Sequence, residues 1–191
     1  MNESLFVQDL FHDHILVTQK SLVASMNTIP HMADVICKSI NMGGKLLICG
    51  NGGSAADAQH LAAEFVSSFS KSIKRPGLPA IALTTDTSIL TAYSNDFSFD
   101  DIFFRQLEAL GKSGDVLLVF STSGNSKNCL NAVEYAKFNG ISTLGFAGIG
   151  GKLSTVVDHC FSVASDNTQH IQEVHQVAYH ILAGLVEKKL F

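Results

Sequence analysis

The chain has 191 residues, of which 46% are hydrophobic and 16% are charged, a composition typical of one globular domain with a sizeable core. Its formal net charge is −4 and its basic residues are scattered, which argues against duplex nucleic acid as the main partner, because binding to a phosphate backbone needs clustered Lys and Arg. No apolar run approaches the length of a membrane span, and Glu3, Asp9 and Asp13 argue against a signal peptide.

The mean hydropathy of the chain indicates whether its subunits associate, and its cysteines indicate in which cell compartment it works. A mean hydropathy of +0.23 is high for a monomer, so we expect part of the apolar surface to be buried between subunits. The four cysteines show neither close pairing nor the spacing of a metal site, and this pattern favours a reducing cytoplasm. They are Cys37, Cys49, Cys129 and Cys160.

Helices are predicted ahead of the first strand. Residues 4–27 carry apolar side chains at helical spacing and predict a long leading helix. Pro30 and a turn around it are expected to separate this helix from a second one over residues 31–42, which Gly43 and Gly44 would end. We expect residues 1–42 to contribute to subunit packing.

Five short apolar runs follow, separated by segments long enough for crossover connections. They cover residues 46–49, 79–84, 116–120, 141–147 and 159–164, and a final helix is predicted from about residue 168 to 189. Strands that alternate with helices predict an open parallel sheet with helices on both faces, an α/β three-layer sandwich. Since no linker or repeat interrupts the chain, we predict a single domain over residues 1–191.

A hydroxyl-rich loop at residues 121–126 follows the third predicted strand and leads into a helix. Four hydroxyls and the free N–H groups of a helix N-terminus would surround one small volume, which suits a phosphate group. The alternative is a loop that needs no ligand, with Ser126 as N-cap and Gly124-Asn125 as turn residues. The four hydroxyl residues are Ser121, Thr122, Ser123 and Ser126.

A glycine-rich turn at residues 50–54 follows the first predicted strand. Parallel sheets bind ligands at the carboxyl ends of their strands, so we expect this turn and the hydroxyl loop to share one ligand. The alternative is a dinucleotide site, because the turn matches the loose G-x-G-x-x-A pattern. That fingerprint needs an acidic residue about twenty positions on, whereas Asp86 comes about thirty-six positions after Gly50.

Carboxylate and imidazole groups cluster on two predicted helices. Asp57, His60 and Glu64 share one helix face, and His60 and Glu64 can touch because they are four residues apart. The alternative is an ordinary surface pair on an amphipathic helix. A second polar line on the last helix consists of Gln172, Gln176 and His180.

Together these motifs resemble the phosphoheptose isomerase family of the sugar isomerase (SIS) class. The resemblance rests on residues 49–60, Glu64, residues 95–97, residues 121–126, residues 171–175 and His180, in the family's order and spacing. It implies a flavodoxin-like SIS domain that converts sedoheptulose 7-phosphate to D-glycero-D-manno-heptose 7-phosphate through an enediol, toward the heptose of bacterial lipopolysaccharide. It also implies a cytoplasmic homotetramer with sites between subunits.

The resemblance assigns expected roles to residues of this chain. Glu64 and His180 would be the catalytic acid/base pair. Substrate contacts would come from Asn51, Gly52, Gly53, Glu64, Asn95, Asp96 and Gln172, and phosphate contacts from Ser121, Thr122, Ser123 and Ser126. One zinc ion per subunit, readily lost on purification, would be held by His60, Glu64, Gln172 and His180.

One position departs from the family pattern. Gln169 stands where members have an acidic residue, three positions before Gln172, so the role of a carboxylate there is in doubt. An alternative of another class is a non-catalytic SIS-domain regulator that binds a replication-initiator protein. A homologue of that kind lacks the glutamate and the histidine, so the presence of Glu64 and His180 favours an enzyme.

Overall fold

The computed structural model describes all 191 residues as one α/β domain. The strands are β1 (Leu46–Gly50), β2 (Ala80–Ala82), β3 (Val116–Ser121), β4 (Ser142–Ala147) and β5 (His159–Ser162). The helices are α1 (Glu3–Asn41), α2 (Gly53–Val66), α3 (Thr87–Asp96), α4 (Ile102–Leu110), α5 (Lys127–Phe138), α6 (Leu153–Val156) and α7 (Thr168–Leu190), with a 3₁₀ turn at Phe99–Asp101. None of the helices is both long enough and apolar enough to cross a membrane.

The five strands form one parallel sheet in the order β2-β1-β3-β4-β5. This is the flavodoxin-like order, in which the strand sequence reverses direction between β1 and β3. Gly50 at the end of β1 pairs with Phe120 near the end of β3. The glycine turn and the hydroxyl loop therefore leave the sheet side by side, at the point where such sheets bind ligands.

Helices cover both faces of the sheet, as the sequence predicts. Alternate residues of β1 separate onto two cores, with Leu46 and Ile48 facing α1, α2 and α7 and with Leu47 and Cys49 facing α4, α5 and α6. Because both sets are fully buried, β1 is apolar on both faces, and every residue of the neighbouring β3 is buried as well, which is the pattern of a covered parallel sheet. The three-layer prediction is confirmed.

The predicted break at Pro30 is wrong, because α1 runs through it from Glu3 to Asn41. A proline inside a helix costs roughly 3 kcal/mol, since it removes one backbone hydrogen bond and crowds the preceding turn. On either side of Pro30, the side chains of Ile29, Met32 and Ile36 are fully buried in the core with α7. Each such burial contributes about 1.5–3 kcal/mol, so tertiary packing offsets the local cost.

Between β2 and β3 the sequence predicts only a crossover, and the structure places α3, the 3₁₀ turn and α4 there. Helix α3 buries none of its residues, whereas α4 buries Ile102, Phe103 and Leu107 against the sheet. The polar and exposed character of α3 explains why no apolar stripe marks it in the sequence.

Candidate active site

The hydroxyl loop begins at the last residue of β3 and ends at the start of α5. Ser121 Oγ lies 3.1 Å from Ser126 Oγ, so the two ends of the loop face each other across a tight bend. Gly124 sits at the bend with φ = +65°, a left-handed conformation that favours glycine. The Ser123 hydroxyl accepts the Asn125 N–H at 3.2 Å, which leaves its own O–H free to donate.

The first turn of α5 has the properties of an anion site. Ser126 occupies the N-cap position but makes no side-chain capping bond, because its hydroxyl faces Ser121 instead. The N–H groups of Lys127 and Asn128 have no acceptor within the chain. Free N–H groups and the positive end of the helix dipole favour a phosphate at this position. The loop therefore leads into a helix end whose Lys127 and Asn128 N–H groups are available to a ligand.

The glycine turn brings the backbone close to a neighbouring helix. Gly52 has φ = +58°, and Gly53 lies so close to the Gln172 amide of α7 that a Cβ at Gly53 would clash with it. Gly50 is equally restricted, because a Cβ there would lie 2.8 Å from the Ser54 carbonyl oxygen. The glycines thus allow α2, α7 and the two turns to converge on one volume.

His60, Glu64 and His180 come together where α2 meets α7. Each of these residues has one nitrogen or carboxylate oxygen that lies within 4.8 Å of those of the other two. His60 Nε2 is 3.1 Å from Glu64 Oε1, and the rings of His60 and His180 have their centroids 5.0 Å apart. The side chains of His60 and Glu64 are 49% and 21% exposed, so a ligand can reach them. The predicted convergence of these two helices is confirmed.

A buried carboxylate lies behind this cluster. Asp57 is 2% exposed and accepts a hydrogen bond from Gln176 Nε2 at 3.2 Å. Burial raises the pKa of Asp57. Two effects oppose this rise: the hydrogen bonds that Gln176 and Gln172 donate to the carboxylate, and the charges of the nearby His60 and His180. The polar line on α7 predicted from the sequence is therefore more than a solvated helix face, because Gln172 and the exposed Gln176 both hydrogen-bond to Asp57.

Tyr179 holds the ring of His60 from behind. Its hydroxyl lies 3.0 Å from His60 Nδ1, and its own side chain is fully buried. With Nδ1 engaged by Tyr179, Nε2 is the nitrogen that faces Glu64. The sequence does not reveal this contact, because an aromatic residue beside the apolar stripe of a helix has the pattern of a core residue.

The donor set at this corner fits a zinc ion. Two imidazoles and a carboxylate are the ligands of many catalytic zinc sites, and the three donor atoms, within 4.8 Å of one another, would need only a small approach to reach one ion with bonds of about 2.0–2.2 Å. Tyr179 supplies the second group on His60 that fixes which ring nitrogen stays available to a metal. Gln172 lies beside Gly53 and Asp57, next to the three, where its amide oxygen could complete the set.

Other residues of the predicted motifs lie elsewhere in the chain. Asn95 and Asp96 are exposed at the end of α3 and hydrogen-bond to each other at 2.8 Å, and no hydrogen bond joins them to either turn. Gln169 is exposed in the first turn of α7, where its N–H donates to the Asn167 side chain at 3.0 Å. The structure therefore does not join Asn95 and Asp96 to the other predicted site residues by hydrogen bonds.

His175 belongs to the core rather than to the site. Its side chain is fully buried, and its Nε2 donates to the Ala147 carbonyl at the end of β4, at 3.2 Å. Burial lowers the pKa of His175 to about 4, so the imidazole is neutral at physiological pH. The histidine thus ties α7 to the sheet and places His180, one and a half turns later, over α2.

Comparison with known proteins gives a consistent result. The SIS domain family model matches residues 11–148. The phosphoheptose isomerase of Roseiflexus sp. is 49% identical over 187 residues, covering 97% of this chain and 94% of the relative, and that of Thermodesulfovibrio yellowstonii is 46% identical over 186 residues, covering 97% and 92%. A solved phosphoheptose isomerase from Francisella tularensis has a TM-score of 0.93 at 35% identity, covering 98% of this chain and 100% of that one. With relatives this similar along nearly the whole length, the chain belongs to the phosphoheptose isomerase family of SIS-domain proteins.

Proposed function

We propose that the protein is a phosphoheptose isomerase that interconverts sedoheptulose 7-phosphate and D-glycero-D-manno-heptose 7-phosphate, in the synthesis of the lipopolysaccharide heptose. The observation that carries the proposal is the meeting of Glu64, His60 and His180 between α2 and α7, in a fold whose hydroxyl loop leads into unpaired N–H donors. Ketose–aldose interconversion moves a proton between adjacent carbons through an enediol, so it needs one base at carbon and one acid at the oxygens.

We assign each side chain a role in this proton transfer. Glu64, on the helix that begins at the glycine turn, is the base that removes the carbon-bound proton. His180 faces Glu64 from α7 and serves the substrate oxygens, and the phosphate end is held by the hydroxyl loop. A zinc ion bound by His60, Glu64, Gln172 and His180 would polarise the substrate carbonyl.

Turnover of the proposed substrate tests the function directly. The purified protein, supplied with zinc, should isomerise sedoheptulose 7-phosphate and should exchange its carbon-bound proton with deuterated water. A folded protein that does neither, but that retains a replication-initiator protein in a binding assay, would contradict the proposal and favour the regulator.

The phosphate contact can be tested at Ser123. Replacing Ser123 with alanine should weaken substrate binding by roughly 1.5–3 kcal/mol, or about tenfold to a hundredfold, because one charge-assisted hydrogen bond is lost. Since Ser123 is exposed, the melting temperature should barely change. The matched control is Ser142→Ala at the opposite end of the sheet, which should leave the Michaelis constant unaltered. An unaltered Michaelis constant in Ser123→Ala would exclude the hydroxyl loop as the phosphate site.

Zinc binding can be measured independently of activity. Metal-free protein should take up one zinc ion per subunit in a calorimetric titration. Tyr179→Phe should lower the affinity about tenfold to a hundredfold, the usual effect of removing a group that orients a ligating histidine. Tyr135→Phe on α5 is the control, because Tyr135 packs against Phe104 away from the site. Equal zinc affinity in the parent and Tyr179→Phe would count against His60 as a ligand.

We also propose a homotetramer in the cytoplasm, with α1 packed between subunits. The first part of α1 exposes an unusual number of large apolar side chains, namely Leu5, Phe6, Val7, Leu10, Phe11, Ile15, Leu16, Leu22, Val23 and Met26. Exposed apolar area of this extent favours association. The four free thiols are compatible with a reducing compartment.

Light scattering tests the assembly. The full chain should have the mass of four subunits, and deletion of residues 1–19 should give smaller, inactive species that remain folded. This deletion spares Ser21, which is buried and bonds Ala164, and it spares the core part of α1 that follows. A full-length monomer at micromolar concentration would refute the tetramer.

A further inference from the structure

We propose that Asn128 is a positioning residue that couples the glycine turn to the hydroxyl loop through the side chain of Asn51. The proposal rests on the proposed function, since it assumes that the hydroxyl loop binds a phosphate. In this arrangement the Asn51 side chain binds Asn128 within the protein, and the glycine turn contacts the sugar through its backbone groups.

The two asparagines form a reciprocal amide pair. Asn51 Nδ2 donates to Asn128 Oδ1 at 2.8 Å, and Asn128 Nδ2 donates to Asn51 Oδ1 at 2.9 Å. Asn51 follows β1 and Asn128 lies in the first turn of α5, so the pair joins segments 77 residues apart. No other pair of side chains links the two turns by hydrogen bonds in both directions.

Cys129 provides one further contact to each amide of the pair. Asn128 Oδ1 accepts a second hydrogen bond from the Cys129 N–H at 2.9 Å, and Asn51 Nδ2 has Cys129 Sγ at 3.8 Å. An amide nitrogen carries two donors and an amide oxygen two acceptor sites, so Asn51 has no donor left for a sugar hydroxyl. We infer that both donors of the Asn51 side chain are occupied before substrate arrives.

Burial makes this pairing specific to asparagine. Asn128 is 2% exposed, and a buried amide that loses its partner leaves costly unsatisfied groups. Aspartate at either position would set two acceptor oxygens against each other, and an aliphatic residue would provide neither bond. Only a side chain with one donor and one acceptor in the same plane meets both needs.

Asn128 also has a backbone role on the phosphate side. Its N–H has no acceptor in the chain and lies in the first turn of α5, among the donors available to a phosphate. One residue thus presents its backbone to the phosphate and its side chain to the glycine turn. A phosphate that orders Asn128 should therefore also order the turn that carries Asn51, through a contiguous set of hydrogen bonds.

Hydrogen exchange in the presence of inorganic phosphate tests this coupling. In the parent, phosphate should slow amide exchange in residues 121–128 and also in residues 51–55, each on the order of tenfold. In Asn128→Ala, phosphate should still protect residues 121–128 and should no longer protect residues 51–55. A role in stability alone would not remove the protection of one segment while sparing the other.

Further variants keep the test decisive. Asn51→Ala breaks the same pair, and it should be better tolerated because Asn51 is only half-buried. In this variant too, phosphate should no longer protect residues 51–55, so the test does not depend on the folding of Asn128→Ala. The Michaelis constant of the double variant should be no worse than that of the poorer single variant, because both changes remove one interaction. Asn131→Ala is the control, since Asn131 bonds Asp100 and Asp101 one turn along α5 and should leave the protection intact.

The outcomes separate this inference from the proposed function. If phosphate protects both segments in Asn128→Ala and in Asn51→Ala, the coupling is refuted while the phosphate site stands. If phosphate protects neither segment in the parent, the phosphate site itself is refuted, and the coupling with it. Loss of protection at residues 51–55 alone, in both variants, supports the proposal.

Discussion

Replacing Glu64 with glutamine should lower turnover of sedoheptulose 7-phosphate by about a hundredfold or more and change substrate binding much less. Glutamine keeps the shape of the side chain and most of its hydrogen bonding but cannot accept a proton. Glu64 is the only carboxylate in the cluster with His60 and His180, so the cluster holds no second carboxylate that could act as the base. Buried Asp57 lies behind the histidines and is already bonded to Gln176.

Two controls separate loss of the base from loss of structure or metal. Glu108→Gln makes the same substitution in an exposed ion pair with Arg105 on α4 and should keep full activity. Zinc content should be measured in both variants, because Glu64 is also a proposed ligand. If Glu64→Gln exchanged the substrate's carbon-bound hydrogen with deuterated water at the parent rate, another group would have to be the base.

The sequence was sufficient to predict the parallel sheet and the positions of its five strands along the chain. The inner strands β1 and β3 are short apolar runs that are buried on both faces, so their burial is visible in composition alone. The break at Pro30 was not predictable in the same way, because local propensity at that position opposes the helix. The packing of Ile29 and Met32 decides the outcome, and their partners on α7 lie far away in sequence.

The site was predictable where one segment holds the whole signal. The hydroxyl loop and the His60–Glu64 pair are local patterns, and the structure places them as expected. The contacts of Asn128 and Tyr179 were not predictable, because each depends on a partner 77 or 119 residues away. Neither residue type stands out in its own helix, so only the fold reveals what they bind.

A buried ion pair between Arg75 and Glu187 was not predictable from the sequence either, because its partners lie 112 residues apart. Arg75 Nε donates to Glu187 Oε1 at 2.6 Å, and the two side chains are only 1% and 2% exposed. The guanidinium also donates to the carbonyls of Glu64 and Phe65, in the last turn of α2, at 2.8 Å each. It therefore caps the helix that carries the proposed base, at the end where a positive charge is favoured.

Glu187 extends this contact to the loop after α2. Its carboxylate accepts the N–H groups of Phe69 and Ser70 at 3.3 and 3.0 Å, so one carboxylate fixes both the loop and Arg75. The Phe69 ring has its centroid 6.2 Å from that of His180. The pair thus joins α7, which carries Glu187, to the last turn of α2, and these are the helices that supply the proposed acid/base groups.

Arg75→Met should accordingly destabilise the protein by about 3–5 kcal/mol, because it leaves the Glu187 carboxylate buried without its cation and removes the guanidinium from the carbonyls of Glu64 and Phe65. For a chain of this size each kcal/mol corresponds to roughly 2–4 °C in melting temperature. Denaturant unfolding at fixed protein concentration measures the change, since subunit association also affects apparent stability.

A matched pair on the surface provides the comparison. Arg105→Met removes the cation from an ion pair whose partners, Arg105 and Glu108, are 56% and 44% exposed, and it should cost about 0–1 kcal/mol. The double variant of Arg75 and Glu187 to methionine should be less unstable than the sum of the single variants, because no unpaired charge stays buried. If Arg75→Met cost no more than Arg105→Met, the buried pair would not be what holds α2 against α7, and the burial argument for Arg75 would fail.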